Sequence, residues 1–490
     1  MSHFLTRLPP ELLPPIINEL SLNDKKHVSL TDSTMREVMA PYLYTTMVID
    51  CPLLESSSLS DVAQKYGAFV KNLHLRVHIC PNKKEPDQNE GYEDSDEDDV
   101  EEGSGTKDEE NNMVQKSQQG EYNSDEEVED DTGIIYGDFD YETFWKTPPA
   151  SVWARRATDA PIVRDMIQSK GLPHCRTLSV TIDPNKNHKL YNERYWDDFS
   201  YERGHFCRSS EVWENVRRHE KVYAWRATMR DMWCDIATLS KAERLVIYDF
   251  MPKRITAWLK PEWAGFLGRL KDLTLFMYGK YHEMEFPAYV YYGFTTFLQQ
   301  LSDDMWIHLS KLERLKIVAH ERGFIDDRSL EFPIRSMPAL KAIYLENVIA
   351  PQVLTDFLRG GCPHLEEIRL KDCVAAAWRL KNVTTWAELW GAARETGKKP
   401  LRIIWEESDI APLKADDDPD ENVRGAWAQL YKILGDDEGF RIWPYVEFNG
   451  NGIYMPDNIV EYLKERDDNR EYTKLLEEME RRRSRISYRA

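Results

Sequence analysis

Between residues 12 and 44 the apolar positions recur at helical spacing. Leu12, Leu13, Ile16, Ile17 and Leu20 make the i, i+4, i+8 stripe of one helix face. Pro14 and Pro15 are tolerated in a first helical turn and not in an interior, so this helix is predicted to begin near Pro14. Asn23 or Asp24 is the expected cap of a second helix that buries Val28 and Leu30. Met35, Val38 and Met39 form the apolar face of a third. Three short helices enclose a very small core, which is marginal alone and calls for a partner surface.

Further along, a different rhythm takes over: an apolar residue, another three later, a third two after that. It reads Leu270-x-x-Leu273-x-Leu275, Leu312-x-x-Leu315-x-Ile317, Leu340-x-x-Ile343-x-Leu345 and Leu365-x-x-Ile368-x-Leu370. Looser copies start at Val70, Cys175, Ala242 and Pro400. The eight starts are separated by 105, 67, 28, 42, 28, 25 and 35 residues, and the 28, 28 and 25 fall in the range of leucine-rich repeats. Alternate residues of a strand point to opposite faces, so each phrase turns its apolar residues into a stack that neighbouring units must complete. A helix fits between copies, as over Gln352 to Arg359 with Val353, Leu354, Phe357 and Leu358. Cys373 falls where such repeats carry Asn or Cys. The expected fold class is α/β, an irregular repeat solenoid behind a small helical unit.

Charge changes this picture in one place. The chain of 490 residues has a net charge of −21. Residues 85–132 hold 21 acids and two lysines, and the other 442 residues hold 64 acids and 62 bases. The folded part is therefore nearly balanced, and the acidity belongs to an insert over residues 82–132. That insert has too few apolar residues to offset its ordering entropy and is predicted to be disordered. Ser95 and Ser124, each followed by acids, are candidate phosphorylation sites there. The resulting division is residues 1–50 as the helical unit and 51–81 as a first repeat-like segment. Then come the insert at 82–132, the irregular repeat domain at 133–455, and a C-terminal helix with a basic tail at 456–490.

Seven scattered cysteines without C-x-x-C spacing fit a reducing compartment, cytoplasmic or nuclear. No run of 18 apolar residues and no apolar segment after Arg7 suggests a membrane span or a secretory signal. Metal binding is not expected, because His74, His78 and Cys80, or Cys362, His364 and Cys373, lack paired short ligand spacings. The aromatic stretch from Tyr191 to Trp233 reads as core rather than as a nucleic-acid platform. No phosphate loop, nucleophile elbow or HExxH appears, so neither an enzyme nor a cofactor is expected.

The N-terminal unit resembles the F-box in its fungal form. The matching residues are Leu8-Pro9, Glu11-Leu12-Leu13, Ile16, Leu20, Asp24, Leu30, Arg36 and Pro41-Tyr42-Leu43-Tyr44. It departs at Pro14 and Pro15, where many F-boxes carry helix formers, and at Asp32, near which a cysteine is common. The resemblance implies binding to a Skp-family adaptor and, through it, to cullin and RING subunits of an SCF-type ubiquitin ligase. It implies that Leu8, Pro9, Leu12, Leu13, Ile16, Ile17 and Leu20 form the adaptor-facing surface or the small core beneath it. The alternative is an adaptor-bound scaffold outside any ligase. The repeat body would then hold an unknown protein substrate on the strand face opposite the stack, with Tyr248, Phe276, Lys316, Tyr344, Arg369 and Lys371 as candidate contacts. The rows at 314–318 and 367–371 read as basic and suggest an acidic partner.

Overall fold

In the computed structural model the repeated apolar phrases lie on consecutive strands of one parallel sheet. The structure describes residues 10–51, 57–78, 161–183, 211–222, 224–278, 292–320, 325, 330–360, 362–376, 384–396, 400–406, 443–449, 452–454 and 467–487. The insert at 82–132, with Ser95 and Ser124, lies outside the described residues, as do Leu8 and Pro9.

The strands are β1 (Thr46–Cys51), β2 (Asn72–His78), β3 (Thr177–Asp183), β4 (Arg244–Phe250), β5 (Asp272–Met277), β6 (Arg314–Val318), β7 (Ala342–Glu346) and β8 (Glu367–Lys371). A two-residue strand β9 (Ala375–Ala376) precedes β10 (Arg402–Glu406). The nine-stranded sheet runs β1 through β8 and then β10, each strand beside its predecessor. β9 instead joins a three-stranded sheet with β11 (Tyr445–Asn449) and β12 (Gly452–Tyr454).

The register lines up the phrases. Leu73, Leu178, Leu245, Leu273, Leu315, Ile343, Ile368 and Ile403 stand in one row across the sheet. Leu75, Val180, Ile247, Leu275, Ile317, Leu345 and Leu370 form the next, each at most 1% exposed. Every such side chain withdrawn from water stabilises the fold by roughly 1.5–3 kcal/mol before ordering entropy is charged against it. Near the ends of β4, β7 and β8, Asp249, Asn347 and Asp372 adopt φ of 50°, 58° and 50°. Asn and Asp tolerate this left-handed region, which redirects the chain at these three positions. The Cys373 thiol, in the slot expected for Asn or Cys, donates to the Leu345 and Lys371 carbonyls.

Helices cover one face of the sheet. Three precede it: α1 (Leu13–Glu19), α2 (Leu22–Ser29) and α3 (Ser33–Leu43). Along the sheet come α4 (Ser57–Tyr66), α5 (Pro161–Ile167), α6 (Trp213–Val222), α7 (Ala224–Leu239), α8 (Pro261–Leu267), α9 (Tyr292–Asp304), α10 (Ala350–Arg359), α11 (Trp386–Glu395) and α12 (Asp468–Ser487). Met166, Trp233, Trp263, Phe297, Leu354 and Trp390 from these helices share one core with the buried strand rows. Trp233 and Trp263 meet edge to face at 5.5 Å, so the predicted core reading of the aromatic stretch holds for its described part.

The far end of the sheet is closed by α12. Arg482 donates to the Arg394 and Thr396 carbonyls, at 2.6 and 3.0 Å, which satisfies acceptors that α11 leaves open at its end. Asp468 accepts from the Ala387 amide at 2.7 Å and from the Tyr445 hydroxyl at 2.8 Å. The terminal helix thus starts at Asp468, later than the predicted boundary at 456, and the residues 456–466 lie outside the described residues.

Three local expectations are corrected. Ser21, not Asn23 or Asp24, caps α2, its hydroxyl accepting from the Asp24 amide at 3.1 Å. Leu30 follows the end of α2 rather than lying within its buried face, and it is 70% exposed. Thr46–Cys51, placed within the N-terminal unit, is the first strand of the sheet, with Met47 and Ile49 opposite Leu73 and Leu75.

Candidate functional site

Two surfaces stand out, one on the N-terminal helices and one on the sheet. The helical unit has a core of Ile17, Met35 and Met39, flanked by half-buried Leu13, Leu20, Val28, Val38, Tyr42 and Leu43. Pro14 and Pro15 sit in the first turn of α1, as their missing donors require. Asp32 caps α3 by accepting from the Met35 amide at 2.8 Å. That bond gives a structural role to the residue that departs from the F-box pattern.

So small a core cannot cover all of the unit's apolar residues. Leu12 is 51% exposed, Ile16 39%, Leu22 55% and Leu30 70%. Of the candidate adaptor residues, Leu12 and Ile16 therefore face water, Leu13 and Leu20 are half-buried, and Ile17 belongs to the core. Leu22 was not singled out from the sequence, although it directly follows the Ser21 cap, where a helix has not yet turned its face inward. Tyr44 at the end of α3 stacks on Tyr66 of α4 at 3.8 Å with the rings 8° apart. The unit is thereby joined to the sheet domain by an aromatic contact as well as by the chain.

The second surface is the sheet face away from the helices, and all six candidate substrate residues lie on it, half-buried. Tyr248 stacks on Phe276 at 4.8 Å with the rings 9° apart, and His74 extends the column at 5.6 Å from Tyr248. The Lys316 ammonium lies 4.2 Å from the Tyr344 ring centre and 5.6 Å from that of Phe276. Arg369 is 6.0 Å from the other side of the column, at Tyr344. His74 was missed as a member because its place depends on strands over a hundred residues apart. Its Nε2 is 2.8 Å from the Thr181 hydroxyl, and burial, with the charge of Arg76, lowers its pKa.

The expectation of basic rows on this face is overturned by cross-strand pairing. Asp272 takes both Arg244, at 2.9 Å, and Arg314. Burial disfavours the Asp272 carboxylate, but hydrogen bonds from Arg314 and Arg244 and their charges outweigh it, and its pKa falls. Lys371 meets Glu346 at 2.6 Å, while Arg369 lies 3.5 Å from Glu367 and 3.3 Å from Glu406. Tyr344 donates its hydroxyl to Glu346 at 2.7 Å, and burial together with that carboxylate raises its pKa.

A third cluster is buried and was not foreseen. Glu211, 6% exposed, accepts from Arg226 at 3.1 Å and from the Arg254 amide at 3.0 Å. The Lys253 ammonium is 3.4 Å away and the His219 ring 3.6 Å. Burial opposes ionisation of Glu211, but His219 and the charges of Arg226 and Lys253 overcome it and hold its pKa at about 2. Arg254 grips Asp304 with two bonds of 2.8 Å and lies 3.7 Å from the Trp213 ring centre. This largely buried cluster ties α6, α7 and α9 to the loop after β4.

Among the described residues no group of His, Cys, Asp and Glu side chains gathers as metal ligands, and no helix is long and apolar enough to cross a membrane. Burial pushes the thiols of Cys51, Cys362 and Cys373 up to about 12, far from a reactive thiolate. No protein-family model matches this chain, and no curated protein compared with it matches it either.

Proposed function

We propose that the protein is a substrate-recognition subunit of an SCF-type cullin–RING ubiquitin ligase. In this reading residues 1–50 contain an F-box that binds a Skp-family adaptor, and the nine-stranded sheet with its helices is an irregular leucine-rich-repeat-like body that holds a protein substrate. The observation that carries it is the apolar surface of the first three helices. Leu12, Ile16, Leu22 and Leu30 are exposed on a unit whose core has three fully buried residues. Apolar residues concentrated in this way on so small a unit mark a docking surface. The one-after-another strand order and the Asn, Asp and Cys residues at the strand exits support the repeat reading.

The test is immunoprecipitation of the tagged full chain with quantitative proteomics, repeated with Leu12→Ser and Ile16→Ser combined. Adaptor, cullin and RING subunits are expected with the parent chain and lost with the variant. A set of proteins should live longer when the chain is deleted. Adaptor recovered without cullin would replace this reading by that of a scaffold outside the ligase.

A further inference from the structure

We propose that the open sheet face selects an extended peptide segment with an aromatic side chain two residues from a single carboxylate, seated on Phe276, Lys316 and Tyr344. This rests on the proposed role of that face as the seat of a protein substrate, and it specifies the chemistry of the segment bound.

The charge pattern leaves one opening. Among the described residues, each cation of the face but one has a carboxylate within ion-pair distance. Arg76 has Asp50 at 3.0 Å, Arg244 and Arg314 have Asp272, Arg369 has Glu367 and Glu406, Lys371 has Glu346, and Arg402 has Glu367 at 3.6 Å. Lys316 is the exception: it has no carboxylate within that distance, its ammonium lies 4.2 and 5.6 Å from the Tyr344 and Phe276 ring centres, and the Glu346 charge acts on it only from farther off. An aromatic quadrupole attracts an ammonium without cancelling its charge, so Lys316 still calls for an anion.

The chemistry of that anion follows from what surrounds it. A phosphate ester carries close to two charges and is held by several donors, most often arginine forks. Here the arginines are committed to carboxylates, and Glu346 stands beside Lys316 in the next row. A dianion would meet one free cation and a field of fixed acids, whereas one Asp or Glu carboxylate matches one ammonium.

The aromatic preference comes from the column beside it. Tyr248 and Phe276 already stack face to face, and their half-buried ring edges offer an apolar strip against which another ring packs edge to face. Lys316 pairs with Thr274 and so lies diagonally from Phe276 on the adjacent strand, its ammonium 5.6 Å from the Phe276 ring centre. Same-side residues of an extended peptide, i and i+2, are roughly 6.6 Å apart, so a strand laid across the sheet reaches both.

An array of random twelve-residue peptides probed with the full-length protein tests this, alongside the same array with phosphoserine in place of Asp and Glu. Bound peptides are expected to be enriched in an aromatic residue two positions from Asp or Glu. Lys316→Gln should weaken those peptides roughly fivefold and leave aromatic peptides without an acid unchanged. Phe276→Ala should remove the aromatic preference, and Tyr344→Phe, which keeps the ring, should preserve both. Absence of the motif, an unchanged Lys316→Gln profile, or tighter binding of the phosphoserine array would overturn the proposal. Adaptor capture is read on the same preparations. Its loss with the peptide motif intact would refute the ligase reading alone, and the converse would refute this one alone.

Discussion

The N-terminal helices and the sheet domain treat their apolar residues in opposite ways. The sheet domain draws its rows from Leu73 to Ile403 into one continuous core with the helices behind them. The helical unit buries Ile17, Met35 and Met39 and leaves Leu12, Ile16, Leu22 and Leu30 in water. The difference is one of size. A parallel sheet backed by helices adds buried surface with every strand, whereas a three-helix unit has too little interior for its apolar content. What the sheet domain keeps for itself as stability, the helical unit leaves exposed to water.

Substitutions that separate stability from docking sharpen this contrast. The largest effect is expected inside the sheet domain, from Arg254→Ala, which strands the Asp304 carboxylate in an 8% exposed site. It should cost about 3–5 kcal/mol in chemical unfolding, the penalty for leaving one charge of a buried pair alone. A cost under 1 kcal/mol would mean that the clamp is solvated and that the two regions differ less than described.

Next comes acid sensitivity. The Glu211 carboxyl lies at about 2 in the folded protein against an ordinary value of 4.5, so folding favours its ionised form. That contribution is fully present above about pH 5 and is lost as the pH falls toward 2, about 3 kcal/mol in all. Glu211→Gln should lose stability near neutral pH and flatten the decline of stability between pH 5 and 2. An unchanged slope would show that the groups around it, His219, Arg226 and Lys253, do not hold the carboxylate ionised.

Met39→Ala moves the comparison to the small core. It should cost about 2 kcal/mol or more, confined to the first three helices. Hydrogen exchange should quicken across residues 13–43 while the strand amides keep their protection. Uniform loss of protection would mean that the Tyr44–Tyr66 contact makes the two regions one cooperative unit.

The extent to which these features were legible depends on how local their causes are. The strand phrases could be read because alternation within six residues decides which side chains point inward. The first strand follows the same rule, as Tyr44-x-x-Met47-x-Ile49, but a tyrosine in the leading slot disguised it. The start of α1 was legible from two prolines, and the exposure of Leu30 was not, since a residue one step past a helix end keeps the periodicity without the burial.

The aromatic column could be listed residue by residue, but its charge could not. Whether Arg314 is available depends on Asp272, which the sheet register brings beside it from 42 residues away. Glu211, Arg254 and Asp304 left no pattern at all, because a buried ion cluster is assembled by tertiary packing. Nor did composition reveal that the cations on the open face are almost all spoken for.

The smallest change in stability should accompany the largest change in binding. Leu12→Ser with Ile16→Ser alters two exposed side chains and should shift unfolding by less than about 0.5 kcal/mol. Titration calorimetry of the purified full chain and this double variant against a purified Skp-family adaptor is the most direct test of the central claim. The parent should bind at one-to-one stoichiometry and the variant should lose at least about tenfold in affinity, about 1.4 kcal/mol. Absence of binding by the folded parent, or equal affinity for both proteins, would contradict the account.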